Sequence, residues 1–173
     1  MDKEIVTIHI EWDGPFSLEG NSGRPAAKLT NRKRDRGVYQ VYGGNHIYGG
    51  IALLYIGLTV EQTFAKRIGT QEQPQLWQWN RDAGRVEIYV GRLAGGKTPA
   101  SSIWNQHITY AEQLLILAHQ PPMNTQKNFR TAEGLKRVHI LNWGRYRDLL
   151  PEVSGARWTN RFDDIRGYHL FGD

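Results

Sequence analysis

The stretches GVYQVY at residues 37–42 and IALLYIG at residues 51–57 decide the fold of this 173-residue chain. Both are rich in β-branched and aromatic residues, which favour strands. The segment GGNHIYGG between them, residues 43–50, supplies paired glycines and Asn45, which tolerate the positive φ angles of a hairpin loop. The two stretches are therefore predicted to pair as a β-hairpin, with GGNHIYGG as an extended tip.

Hydrophobic periodicity predicts the other elements. Alternating apolar residues at 5–12 indicate an N-terminal strand that Gly14 and Pro15 end, before a loop or short helix. The later predictions are a helix at 59–69 with Thr59 as N-cap, a strand at 85–93, a helix at 101–119 stopped by Pro121, a strand at 138–141, and a turn or short helix at 149–154. These elements indicate an α+β domain spanning residues 1–173, with a small antiparallel sheet of three core strands and an added N-terminal strand, flanked by helices.

The formal charge of +5 and the pI of about 9.6 indicate attraction to polyanions, of which nucleic acid is the commonest. The segment KLTNRKRDR, residues 28–36, holds five basic residues and one acid. Such a run is either a solvated loop or a strip that contacts phosphates. Its position before the hairpin makes Arg32, Lys33, Arg34 and Arg36 candidate DNA contacts.

Several function classes are excluded by composition. The chain has no cysteine, which removes disulfides, thiol nucleophiles and thiolate zinc sites. Its six histidines lack the spacing of metal ligands. No apolar stretch has the length of a membrane helix or a signal peptide, so we expect a cytoplasmic chain with no membrane partner.

Five residues form a candidate site. Tyr39 and Tyr55 lie on neighbouring strands of the predicted hairpin, where side chains on one face approach within about 5 Å. Arg67 lies on the next helix. Glu112 lies beside the apolar stripe of the later helix, and Asn124 follows the two prolines that end it.

These residue types suit hydrolysis of a phosphodiester. Negative charge develops on the phosphate oxygens, and an arginine fork matches that charge in geometry. A carboxylate can hold a divalent cation that neutralises it further. A phenol with a nearby cation can accept a proton from water. Because Glu61, Glu72 and Glu87 are expected at the surface, Glu112 alone predicts one Mg²⁺ or Mn²⁺, bound largely through water.

The ordered set resembles the GIY-YIG nuclease superfamily. The resemblance is carried by GVY at 37–39, YIG at 55–57, the arginine of FAKRIG and the glutamate and asparagine of AEQLLILAHQPPMN, and it covers about residues 37–126. It implies DNA cleavage with a single metal ion, leaving a 5′-phosphate and a 3′-hydroxyl. It also implies one role for each residue. Tyr39 is the general base, Tyr55 positions water or phosphate, Arg67 stabilises the transition state, Glu112 is the metal ligand, and Asn124 organises the site.

The chain departs from the family pattern at helper positions. Gln71 stands where some relatives have a histidine, and Leu58 where some have a lysine. Proton transfer would then rest on Tyr39, helped by Lys66 or His46. The alternative is a nuclease-fold module that binds DNA without turnover. Specificity would come from residues 1–36, residues 127–173 or formation of a homodimer.

GRLAGGKT at residues 91–98 matches the P-loop pattern in form only. A P-loop joins a parallel strand directly to a helix, whereas here Gly91 lies within a strand and Pro99 follows the motif. No nucleotide cofactor is therefore expected. Lys97 of this loop and Lys66 complete the candidate DNA contacts.

Overall fold

The computed structural model describes residues 4–19, 24–25, 29–69, 86–95, 100–125 and 134–159. They form an α+β fold in which helices pack on both faces of one mixed sheet. None of the described helices combines the length and the apolar character needed to cross a membrane. The elements are β1 (Val6–Glu19), β2 (Arg24–Pro25), β3 (Gly37–Asn45), β4 (Gly49–Thr59), α1 (Phe64–Gly69), β5 (Glu87–Leu93), α2 (Ser101–His119), a 3-10 turn (Leu135–Arg137), β6 (Val138–Gly144), β7 (Glu152–Ser154) and α3 (Gly155–Thr159).

The sheet has the order β4-β3-β5-β1-β6-β7, and β2 pairs with the end of β1. The predicted core of three antiparallel strands is its β4-β3-β5 part, and the N-terminal strand lies next to β5. β6 contains the strand predicted at 138–141. The predicted extent of the sheet is nevertheless wrong, because β6 joins it parallel to β1 and β7 pairs with β6. β7 falls within the segment predicted as a turn or helix, since three paired residues are too short to show a period.

Two predicted boundaries are also wrong. β1 does not end at Gly14 and Pro15 but continues to Glu19, because a register shift between Asp13 and Phe16 accommodates the proline within the strand. The helix predicted from Thr59 begins only at Phe64. Thr59 instead closes β4, and its hydroxyl donates a hydrogen bond to the carbonyl of Gln62 at 2.5 Å.

The side chains of consecutive residues in β3 lie on opposite faces of the sheet. Val38 and Tyr42 pack in the core beneath α2, whereas Tyr39 and Val41 pack with Phe64 and its neighbours on α1. A strand that is covered on both faces has no solvent-exposed side, which is why Val38, Tyr39, Val41 and Tyr42 are all apolar or aromatic. The polar residue between them, Gln40, is buried and accepts a hydrogen bond from the hydroxyl of Tyr42 at 2.7 Å. The face shared with α1 is therefore the one that receives the side chain of Tyr39.

The C-terminal end of α2 is joined to the loop before β7 by His119. Its Nδ1 lies 2.9 Å from the carbonyl of Leu115, and its Nε2 accepts a hydrogen bond from the N–H of Leu150 at 2.9 Å. Burial lowers the pKa of the His119 imidazole, and the bond to Leu115 opposes this effect. The ring therefore serves as a neutral link with a proton on Nδ1.

This link makes stability depend on pH. Because the folded imidazole holds its proton less tightly than the unfolded one, the unfolded chain takes up a proton first as the pH falls. The contribution of His119 to the free energy of unfolding is full above about pH 6.5, and it decreases as the pH falls through the folded pKa.

We expect His119→Gln to lower the free energy of unfolding at pH 7.5 by about 1 kcal/mol, since the link to Leu150 is weakened. It should also reduce the loss of stability between pH 7.5 and 5.5, measured by urea unfolding at both pH values. His46→Gln, on the exposed hairpin loop, is the control and should keep the wild-type pH dependence. An unchanged pH dependence in His119→Gln would show that other groups cause it.

Candidate active site

The two tyrosines of the motif lie side by side on the α1 face of the sheet. In the hairpin register Tyr39 pairs with Gly57, and Val41 pairs with Tyr55, which makes the tyrosines diagonal neighbours. Their ring centroids are 6.0 Å apart and their planes are tilted by 42°. The backbone register of the hairpin thus determines the spacing of the two phenols.

Gly57 leaves the space that the Tyr39 ring fills. A Cβ atom at Gly57 would lie 2.6 Å from both Cζ and Oη of Tyr39, and 2.6 Å from Cε1 of Tyr55. The tip of the Tyr39 ring therefore lies directly over Gly57. Because β4 is the outermost strand on this side, the hydroxyl reaches the edge of the sheet, where residues from α1 and α2 can approach it.

Arg67 from α1 and Glu112 from α2 both act on the Tyr39 phenol. Tyr39 is fully buried and Glu112 is only 2% exposed. Burial raises the pKa of Tyr39 well above its ordinary value, and Tyr55 and Glu112 act in the same direction, whereas Arg67 lowers it. In this state the phenol keeps its proton at neutral pH, so it must lose that proton before it can act as a base.

Asn124 is used differently from the other four residues. Its Oδ1 accepts a hydrogen bond from the N–H of Ile56 at 2.9 Å, and its Nδ2 donates to the carbonyl of Ile56 at 2.8 Å. Next to it, the N–H of Met123 donates to the carbonyl of Leu54 at 3.0 Å. Asn124 therefore holds the outer edge of β4 at the middle residue of YIG, between Tyr55 and Gly57.

The donor set at this cluster suits one hard cation. The described part of the chain contains no group of three or more His, Cys, Asp or Glu residues that could hold a metal ion. Mg²⁺ commonly takes one or two carboxylates and completes its shell with water and substrate phosphate. Glu112 can supply the carboxylate, so the residues fit a cation that is bound together with its substrate and do not fit a closed zinc site.

One of the other three glutamates does not lie at the surface as predicted. Glu61 is exposed, as expected, and Glu72 lies outside the described residues. The prediction that Glu87 lies at the surface is wrong: it is 8% exposed and forms an ion pair with Arg147. Arg147 also donates to the hydroxyl of Tyr89 at 3.0 Å. This cluster faces α2, on the opposite side of the sheet from Tyr39, and it fixes the loop that carries Arg147 to β5.

The basic turn before β3 presents most of its cations to solvent. Arg32, Lys33 and Arg34 are exposed. Asp35, the acid of this run, is instead buried and accepts a hydrogen bond from Arg92 at 2.9 Å. Because the carboxylate of Asp35 is buried, positive charge dominates the surface of this turn.

The remaining candidate DNA contacts lie in different surroundings. The guanidinium of Arg36 is half-buried, 4.7 Å from the ring centre of Trp104, and it donates to the carbonyl of Val60 at 3.1 Å. Lys66 is exposed on α1. Lys97 and the helper position Gln71 lie outside the described residues. Arg36 thus helps to hold the end of the hairpin against α2.

The first residue of the P-loop pattern has a structural explanation. Gly91 lies in β5, which is antiparallel to both β1 and β3, unlike the parallel strand that precedes a P-loop. A Cβ at Gly91 would lie 2.7 Å from Cγ2 of Ile10 and 2.9 Å from the Trp12 ring. The absence of a side chain at this position therefore allows β1 and β5 to pack closely.

Gly57→Ala tests the contact between glycine and the phenols. The added methyl group would overlap rigid, buried rings, so we expect a loss of about 1–3 kcal/mol in the free energy of unfolding. Gly50→Ala is the matched control on the same strand, because a Cβ there meets nothing within 4 Å. Chemical denaturation of both variants measures the difference, and equal stability would contradict this geometry.

Asn124→Ala tests the clamp on Ile56. It leaves an N–H and a carbonyl without their protein partner, at about 1–3 kcal/mol for each group that stays buried. Asn124→Asp keeps the acceptor but sets a carboxylate against the Ile56 carbonyl, so it should destabilise the fold at least as much. If Asn124→Asp has the wild-type free energy of unfolding in denaturant titrations, the amide of Asn124 does not act as a clamp.

Comparison with known proteins finds no relative of this chain. No family model, no curated protein and no solved structure matches the chain.

Proposed function

We propose that this protein is a metal-dependent endonuclease of the GIY-YIG type that hydrolyses phosphodiester bonds in DNA. The observation that carries the proposal is that three predicted site residues from three other elements act electrostatically on the buried phenol of Tyr39. Tyr55 of β4, Arg67 of α1 and Glu112 of α2 all act on the phenol of Tyr39 of β3. Phenols, one guanidinium and one carboxylate around a point at the sheet edge suit the charge that develops on a phosphate.

Each side chain has a separate task in this reaction. The guanidinium of Arg67 binds the non-bridging oxygens, where negative charge grows as water adds to phosphorus. Glu112 would hold one Mg²⁺ or Mn²⁺, and such a cation neutralises the phosphate and acidifies the attacking water. Tyr55 orients water or phosphate beside Tyr39. The oxygen of water bonds to phosphorus, and the bond to the 3′ oxygen breaks. The 3′ oxygen takes up a proton from solvent water, which leaves a 5′-phosphate and a 3′-hydroxyl.

Proton transfer is the demanding step for this site. Tyr39 accepts the proton of water only as a phenolate, and burial raises its pKa far above neutrality. The positive charge of Arg67 already acts to lower that pKa, and further positive charge beside the phenol acts in the same direction. We therefore expect the rate of cleavage to rise with pH, because the reactive phenolate is a minor species.

Access to the cluster is limited. Tyr39 is fully buried and Glu112 nearly so, while Tyr55 and Arg67 are half-buried. A phosphate approaching from solvent meets Tyr55 and Arg67 first. Contact with Glu112 requires the site to open, and binding of the polyanion by the basic turn at residues 32–36 supplies the interaction that would favour an open state.

The second candidate function is a DNA-binding module without turnover. It is favoured by the same burial that raises the pKa of Tyr39, together with Gln71 and Leu58 at the helper positions. A phenol that never ionises would leave the basic surface intact and remove catalysis. This alternative predicts salt-dependent DNA binding with no cleavage.

A plasmid cleavage assay with Mg²⁺ separates the two functions. We expect the wild-type protein to cut, and Tyr39→Phe and Glu112→Gln to cut at least about 100-fold more slowly, because each removes a group that acts in the transition state. Glu61→Gln is the matched control at an exposed carboxylate and should cut like the wild type.

Two outcomes would overturn the nuclease proposal. Equal cleavage by Glu112→Gln and wild type would show that the activity lies elsewhere. Binding without cleavage of duplex, branched and single-stranded DNA, with either Mg²⁺ or Mn²⁺, would instead favour the binding module.

A further inference from the structure

A basic region that includes part of the turn at residues 32–36 lies beside the candidate active site. It is a cavity of about 880 Å³, and its lining includes five cationic side chains, Lys33, Arg34, Arg36, Arg92 and Arg145, and two carboxylates, Glu11 and Asp13. Arg92 is paired with Asp35 at 2.9 Å and with Asp13 at 3.8 Å. Within the described ranges the other four cations are in no ion pair, so the cavity carries an excess of positive charge that suits an anionic ligand.

An exposed aromatic surface lies at the border of this cavity. Trp143 is 49% exposed, and its ring is nearly parallel to that of His9, with 7° between the planes and 6.1 Å between the centroids. The indole N–H of Trp143 donates to Nδ1 of His9 at 3.1 Å. His9 lines the cavity, as do Gly144 and Arg145, which follow Trp143 in the chain. The indole is thus held in a fixed orientation beside unpaired cations.

Flat aromatic rings next to basic side chains are the chemistry that binds single-stranded nucleic acid. Bases stack on the ring, and the backbone lies along the positive groove. A duplex keeps its bases stacked on one another and would use the cations alone. The combination of Trp143 with Lys33, Arg34 and Arg145 therefore favours an unpaired strand.

The cavity adjoins the tyrosine cluster through two elements. Arg36 lies three residues before Tyr39, which is about 10 Å along an extended chain. Arg92 lies two residues after Val90, the partner of Tyr39 in β5, and its guanidinium is 5.8 Å from the ring centre of Phe64. At about 3.4 Å per nucleotide along one strand, 10 Å corresponds to about three nucleotides.

We propose that this cavity binds an unpaired segment of the DNA strand next to the bond that is cut, with phosphates on Lys33, Arg34 and Arg145 and one base stacked on Trp143. The position of this segment next to the cut bond rests on the nuclease function proposed above. Binding of the strand itself does not require cleavage, and it is measurable without metal.

The test is fluorescence anisotropy of a labelled single-stranded 12-mer of DNA in EDTA, where no metal-dependent cleavage occurs. We expect Trp143→Ala to raise the Kd at least about five-fold, which is the lower range for loss of one stacked base. Arg34→Ala should reduce the slope of log affinity against log salt by about 0.7, the value for one phosphate contact on a single strand.

Matched controls are available for both changes. Ile51→Ala removes another half-exposed apolar side chain, and Lys136→Ala another exposed cation; neither residue lines the cavity. Both should bind like the wild type. An abasic 12-mer keeps the phosphates without the bases, so Trp143→Ala should bind it as the wild type does. Circular dichroism and thermal midpoints check that every variant is folded.

The outcomes separate this inference from the nuclease proposal. Wild-type affinity in Trp143→Ala and Arg34→Ala overturns the cavity assignment, even if plasmid is cut. An equal effect of Trp143→Ala on abasic and normal strands overturns base stacking. Tighter binding of a duplex 12-mer, weakened by the same variants, shows that the cavity takes paired DNA. The expected variant effects without any plasmid cleavage support the cavity and refute only the nuclease.

Discussion

The close approach of the Tyr39 ring to Gly57 is the constraint on which the candidate site depends. Because position 57 has no side chain, the phenol of a central strand lies over the outermost strand and reaches the edge of the sheet. There Arg67 from one helix and Glu112 from another act electrostatically on it. A methyl group at Gly57 would occupy the place of the phenol, so a backbone position in β4 determines whether the cluster can form.

The same arrangement creates a conflict between stability and chemistry. Tyr39 and Glu112 are both buried, and burial disfavours the charged form of the Tyr39 phenol. Arg67 is the neighbour that lowers the pKa of the phenol, and it is half-buried. A site of this kind resists ionisation until positive charge is added. In the proposed reaction, ionisation of Tyr39 therefore needs positive charge beside the phenol.

Local sequence patterns predicted the helices and strands that position the site. The features that these patterns did not predict depend on contacts between residues far apart in the sequence. The hairpin, the third strand and the bounds of α2 follow from turn residues and apolar periods within short windows. The clamp of Asn124 on Ile56 joins residues 68 positions apart, and the ion pair of Arg147 with Glu87 joins residues 60 apart. No period in the sequence encodes such pairs. The burial of Glu87, the parallel pairing of β6 with β1 and the strand β7 could not be predicted for the same reason.

A double-mutant cycle on single-turnover DNA cleavage measures most directly whether the cluster acts as one catalytic unit. Its four proteins are the wild type, Arg67→Ala, Glu112→Gln and the double variant. If the two side chains stabilise one transition state around Tyr39, the double variant will cut about as slowly as the slower single variant. Losses that multiply, or cleavage that neither change affects, would contradict a shared site.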